Sequence, residues 1–304
     1  MVIETVKKNE NIIHRNIFDN LYEMVNYIKT TDPFEDKWKM MSVCENADRT
    51  RFTGVSSLDE ALNLCLNGYK ENFGELLFEI EALRNLLPMV TNKRRTQSSV
   101  YGFRPNINKL MTGNPNSMYK LVRKEENNFA DLYFNVSCSW TTSHDAIRNK
   151  GIITIALIKF LEQLNIRVNL NFFELTKEFN EYIYINVILK SPGQLLDTSI
   201  CNFPICHPAF LRRICFAIAE RVEIRDPYDW YGYGTICDSD DVVETMNPDK
   251  NSLLLLAPEH LGVCGMDIIE DTISLLEATD FNKILTNNQR LEFDEKQKKF
   301  ILTR

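Results

Sequence analysis

Residues 129–173 read FADLYFNVSCSWTTSHDAIRNKGIITIALIKFLEQLNIRVNLNFF, and the fold turns on them. Phe129 to Val136 is an apolar run of strand length, and Ser137 to Ser143 is a small polar loop. From about Asp145 to Leu164 apolar residues recur at helical spacing, and Ile166 to Phe173 is strand-like again. Strand, loop, helix, strand is a βαβ unit, wound right-handed. Its first loop then lies at the carboxyl edge of a parallel sheet, where open α/β folds bind ligands.

The pattern continues on both sides. Downstream, Tyr182 to Lys190 is a third strand, and the short connection from Phe173 suits a hairpin, which makes this strand antiparallel at the sheet edge. His207 to Val222 is a helix with Pro208 in its first turn and Phe210, Leu211, Ile214, Cys215, Ile218 and Val222 along one face. Arg225 to Lys250 is irregular, Asn251 to Ala257 is a buried strand, and Asp267 to Ala278 is an amphipathic helix. Upstream, Asn16 to Thr30 has helical apolar spacing, with Trp38 packing beneath the segment that follows. Ser56 to Leu66 has a serine cap, acids in its first turn and Gly68 just beyond its end. Asn72 to Leu87 is stopped by Pro88. The predicted fold is α/β: an open, mostly parallel sheet with helices on both faces and an antiparallel edge strand over 128–304. A mainly helical N-terminal region (1–90) and a basic, loop-rich connector (91–127) precede it.

Across 304 residues, 44% are hydrophobic and 25% charged, a balance that supports a buried core in one large or two ordinary domains. A net charge of −7 argues against a protein that coats nucleic acid all over, though not against a local basic patch. No apolar stretch has the roughly 18–20 residues of a membrane helix, so no membrane partner is expected. The first residues lack an apolar signal core and read as mature sequence. Eight dispersed cysteines without a CxxC pair then suit reduced thiols and a cytoplasmic location. Cys201, Cys206 and His207 come nearest to zinc spacing but match no common ligand pattern.

One tract differs in charge. Between Ala82 and Lys124 there is no acidic residue, while Lys93, Arg94, Arg95 and Arg104 stand among its cations and Tyr101 and Phe103 among its aromatics. Two readings fit: a grip for phosphates and single-stranded bases, or a solvated connector that neutralises neighbouring acidic helices. Asp238, Asp240 and Asp241, preceded by Asp226 and Asp229, suit either Mg2+ for phosphoryl chemistry or an acidic solvated loop. Cys138 and His144 are near enough for a thiol–imidazole pair but have no third orienting group. Neither GxxxxGK[ST] nor GxGxxG occurs.

The first-strand loop, Asn135-Val136-Ser137-Cys138-Ser139, resembles that of the von Willebrand A domain, whose first strand ends in Asp-x-Ser-x-Ser and holds a divalent cation. The resemblance covers roughly 128–280. It implies metal ligands at Asn135, Ser137 and Ser139, completed by residues such as Thr198 and Asp238 on later loops. Asn135 stands where that family has an aspartate, so the implied site is degraded: no cofactor, or weakly bound Mg2+. The segments SLDEALNLCLNGY, RPNINKLMTGNPNSMYKLVR, NVSCSW, DAIRNKGIITIALIKFLE and HPAFLRRICFAIAE resemble an uncharacterised family of phage and prophage proteins over about residues 50–280. Together these imply a phage-associated, non-catalytic interaction module in the host cytoplasm, binding a phage or host protein near Asn135 and Ser139. The alternatives are a metal-dependent enzyme on nucleic acid using the Asp238–Asp241 loop, a nucleic-acid-binding protein acting through the basic tract, or a virion structural protein.

Overall fold

The computed structural model describes residues 1–8, 10–33, 41–70, 73–88, 95–122, 128–178, 180–223, 236–249, 252–285 and 290–303. Trp38 lies outside them. The chain opens with a hairpin, β1 (Val2–Lys8) and β2 (Asn11–Phe18). Four helices follow: α1 (Leu21–Thr30), α2 (Ala47–Thr53), α3 (Leu58–Asn67) and α4 (Phe73–Leu86). A small unit comes next, of β3 (Arg95–Ser99), β4 (Arg104–Pro105), α5 (Ile107–Met111) and β5 (Met118–Val122). The βαβ unit and its hairpin are β6 (Asn128–Asn135), α6 (His144–Gln163), β7 (Ile166–Glu178) and β8 (Glu181–Lys190). Then α7 (Thr198–Cys206) leads to a π-helical turn, Phe210–Cys215, and the short α8 (Phe216–Ala219). The described chain ends with α9 (Ser239–Met246), β9 (Ser252–Leu255), α10 (Ile268–Ala278), a 3-10 turn at Phe281–Ile284, and a hairpin of β10 (Arg290–Asp294) and β11 (Lys299–Thr303).

The fold is α/β around a mixed six-stranded sheet in the order β1-β2-β8-β7-β6-β9. β6 is parallel to β7 and β9, and β8 is antiparallel to β7 as expected. Two expectations need correcting. β8 is not an edge: β2 pairs with it in parallel, Ile12 opposite Glu181 through Phe18 opposite Val187, and β1 lies outside β2. The N-terminal region is not helical at its start, because residues 2–18 belong to the sheet and the first helix begins at Leu21 rather than near Asn16. Asn20 sets that start by accepting from the Glu23 N–H at 2.9 Å. Ile13, Ile17 and Leu21 suit a helical repeat, but Ile12, Ile13 and Phe18 are buried in β2 against a strand far along the chain, and tertiary pairing outweighs local periodicity.

Side chains alternate across the sheet. Leu132 and Phe134 of β6, with Ile183 and Ile185 of β8, enter the main core beside residues of α1, α3, α4 and α6. That core therefore runs through residues on both sides of positions 90 and 128. Tyr133, Phe173, Leu175 and Tyr182 point the other way, into a smaller core with Cys237 and Val242. α6 lies at the centre, buried over most of its length. A Cβ on Gly151 would stand 2.5 Å from Cys206 Sγ and 2.7 Å from the Ile205 carbonyl, so only glycine allows this approach of α6 to α7.

Candidate functional site

The register places the loop after β6 at the carboxyl end of the strand, beside the loop after its parallel neighbour β9. The Ser143 hydroxyl accepts from the Ala146 N–H at 3.1 Å and starts α6. Asp271 of α10 fixes the second loop against that helix: it accepts from Cys264 N at 2.9 Å, Gly265 N at 3.0 Å and Asn149 Nδ2 at 2.8 Å. Gly265 has φ +85°, and a Cβ there would meet Ala146 N at 2.5 Å.

Asn135, Ser137 and Ser139 come together as the motif requires, but their oxygens are already engaged. The buried Asn135 Oδ1 accepts from Ser137 N at 2.8 Å, an Asx turn. The Ser137 hydroxyl, fully buried, faces the Leu175 carbonyl at 3.4 Å, to which the Cys237 thiol also donates at 3.3 Å. The Ser139 hydroxyl pairs with that of Thr141 at 2.9 Å. Glu259, on the loop after β9, accepts from Ser139 N at 2.8 Å and from the Thr142 hydroxyl.

Two buried cations hold the loop from beneath. Lys150 of α6, 1% exposed, donates to the Asn135 carbonyl at 2.5 Å and lies 4.2 Å from the centre of the Phe134 ring. Burial pushes its amine down to about 7, opposed by Cys138 and Glu259. Arg212 of the π-helical turn donates to the Thr142 carbonyl at 3.1 Å and the Phe52 carbonyl at 2.7 Å, and stacks over the Phe52 ring at 4.0 Å. Beside these, burial raises the Cys138 thiol above its usual range, with Arg212 opposing. A cavity of about 20 Å³ touches Cys138, Lys150, His207 and Pro258, room for about one water.

This set does not fit a hard divalent cation, which wants several free anionic oxygens. Glu259, the carboxylate hydrogen-bonded to this loop, already accepts from Ser139 N and the Thr142 hydroxyl, and Lys150 Nζ occupies the Asn135 carbonyl. Asn135 Nδ2 is buried and finds no acceptor among the described residues. Among those residues no three His, Cys, Asp or Glu side chains are grouped for a metal. Asp238 precedes α9 and is exposed, and no hydrogen bond among the described residues ties it to Asn135, Ser137 or Ser139. Thr198 opens α7. Asp241 is held by Lys177 at 2.7 Å and by the Tyr182 hydroxyl at 3.1 Å, while Asp226 and Asp229 lie outside the described residues. His144 turns to the Phe52 carbonyl at 3.1 Å. In the basic tract Tyr101, Phe103 and Arg104 are exposed, Arg95 is described for its backbone alone, and Lys93 and Arg94 lie outside the described residues.

Sequence reasoning did not single out Lys150, Arg212, Glu259 or Trp140. The signals were slight: a lysine inside the apolar helix pattern, two arginines in the otherwise apolar AFLRRICFAIA, and a glutamate just past the last core strand. Elsewhere, a cavity of about 520 Å³ opens along the first hairpin, where Arg15 pairs with Glu4 at 3.6 Å and His14 Nε2 lies 3.7 Å from the Glu181 carboxylate.

A family model described as a domain of unknown function, DUF7192, matches residues 6–274. The chain belongs to this family. The DUF7192 match begins within β1 and ends within α10, so β2, the rest of the six-stranded sheet and the loops around Lys150 fall inside it, while the start of β1 and both β10 and β11 lie beyond. No curated protein matches the chain, and no solved structure does. No described helix is long and apolar enough to cross a membrane.

Proposed function

We propose that the chain is a phage-associated, non-catalytic interaction module of von Willebrand A-like fold, working in the host cytoplasm, which binds a protein partner at the carboxyl edge of its sheet. The observation that carries this reading is Trp140, 80% exposed on a loop held by buried Lys150 and Arg212 and by Glu259 at the surface. A rigid loop presenting a large amphipathic ring loses little entropy on binding, and tryptophan is favoured at the centre of protein interfaces. The Asn-x-Ser-x-Ser loop and the antiparallel β8 support the von Willebrand A-like reading. In this reading the Lys150 amine holds the loop from inside by donating to the Asn135 carbonyl, and no open coordination position is offered. Asp238 to Asp241, at the N-terminal end of α9 and not in a loop, add nothing to the competing enzyme reading, since Asp241 is tied to Lys177 and Tyr182.

Affinity purification from infected or lysogenic cells tests it, with wild type and Trp140→Ala side by side. A partner retained by the first and lost by the second, at equal thermal stability, supports the proposal. The same partners for both, or none for either, refutes it. Mass spectrometry of purified particles separates a cytoplasmic partner from a virion role.

A further inference from the structure

We propose that the small sheet of β3, β5 and β4 is a platform for single-stranded nucleic acid, stacking bases on Tyr101 and Phe103 and meeting phosphates with Arg104, Lys109 and Lys120. This surface is separate from the loop at Trp140, and the proposal stands or falls without it.

The argument starts from the turn that joins β3 to β4. β5 is the central strand, with Ser98 of β3 and Arg104 of β4 on either side of Tyr119. Gly102 lies directly against β5: a Cβ there would come 2.1 Å from the Tyr119 carbonyl oxygen, which also accepts from Phe103 N at 3.0 Å. Glycine therefore lets the turn close, and the closed turn holds Tyr101 and Phe103 outward, 66% and 61% exposed. Two exposed rings on a hydrogen-bonded turn resemble a stacking surface more than an unformed connector.

The cations around them lack acidic partners. Lys120 donates to the Tyr101 hydroxyl at 2.7 Å, and its ammonium is 4.6 Å from that ring. Arg104 stacks on the Tyr119 ring at 5.6 Å, and Lys109 donates to the Ser98 hydroxyl at 2.7 Å. None of the three forms an ion pair among the described residues, whereas Arg84, Arg148, Lys159, Lys177 and Lys190 all do. No acidic residue lies between Ala82 and Lys124, although the chain as a whole carries −7. A patch of unneutralised cations beside open aromatic faces, on an acidic protein, is complementary to a polyanion that also presents π faces. Single-stranded nucleic acid has both properties along its length, and a paired duplex hides its base faces.

Fluorescence anisotropy of the full chain with labelled, mixed-sequence single-stranded DNA and RNA, across a salt series, tests the platform. Binding weakens as salt rises, and Arg104→Gln with Lys120→Gln lowers the slope of log K against log salt by about 1.4, at about 0.7 per lost phosphate contact. Phe103→Ala weakens binding by about five- to a hundred-fold at unchanged slope, since it removes a stack and no charge. Gly102→Ala also weakens binding, although it deletes no contacting group. These positions are exposed or in a turn, and a thermal melt confirms that each variant is folded. The proposal is overturned by no binding at low salt, by Phe103→Ala binding like wild type, or by equal affinity for duplex and single strand. Capture by anionic lipid vesicles in preference to the oligonucleotides overturns it too, and reassigns the patch, through Val100, Ile107 and Met111, to a lipid surface.

Discussion

Glu174 supplies a quantitative test of the main core. It sits in β7, 1% exposed, beside Cys215 of the π-helical turn, and its Oε2 has no hydrogen-bond partner among the described residues. Burial pushes its carboxyl from 4.5 up to about 8, opposed by a hydrogen bond with Cys215. Between those two values the folded chain keeps a proton that the unfolded chain has released. Folding then takes up a proton, so stability falls as pH rises through this window, by about 1.4 kcal/mol per pH unit. The penalty is absent below the unfolded value and levels off above the folded one. Going from about pH 5.5 to about pH 7.5, this one group costs roughly 2–3 kcal/mol of stability. Glu174→Gln keeps the shape and removes the titration. Urea unfolding of wild type and variant at both pH values isolates the effect, because every other titrating group cancels in the double difference. The variant should lose less stability than wild type by that roughly 2–3 kcal/mol. Equal losses, or a larger loss in the variant, would mean that Glu174 ionises like a solvated carboxylate and is not where the packing places it.

Other outcomes are expected at the sheet edge and the helix packing. Gly151→Ala should destabilise by about 2 kcal/mol or more and lower the melting temperature, because the added methyl meets the Ile205 carbonyl as well as Cys206 Sγ. Asn135→Asp should leave Mg2+ binding undetectable by calorimetry, because Lys150 Nζ sits on the Asn135 carbonyl and the Ser137 and Ser139 hydroxyls are already engaged. Tight binding by this variant would contradict the role given to Lys150. Glu259→Gln should speed hydrogen exchange at the Ser139 amide several-fold while leaving global stability within about 1 kcal/mol, since a charge-assisted bond becomes a neutral one.

Much of this architecture is legible in short-range pattern. The βαβ unit declares itself because β6 and β7 are apolar runs of strand length and α6 is long, and the Ser57 cap and Gly68 mark α3 at both ends. The first hairpin is not legible: β1 exposes most of its side chains, and the burial of β2 depends on β8. The site divides the same way. Asn135, Ser137 and Ser139 share one short stretch of sequence, whereas Lys150, Arg212 and Glu259 converge from a helix, a π-helical turn and a distant loop. A buried lysine cannot be told from a solvated one by spacing alone. The π-helical turn also departs from the 3.6-residue period from which a helix face is read, so Arg212 and Arg213 pass for surface cations although both are buried.

The pairing of β2 with β8 bears on how the chain is made. The hairpin precedes β8 in the chain, and Ile12 must wait about 170 residues for its partner Glu181 to leave the ribosome. Until then β2 has one open side, and β8, once made, has one as well, each with backbone donors and acceptors unmet along an apolar strand. Such edges recruit foreign strands. A copy begun after Phe18 would keep the open side of β8 permanently. It should therefore be recovered as aggregate rather than as a smaller soluble protein, which makes the first eighteen residues a built-in guard against self-association.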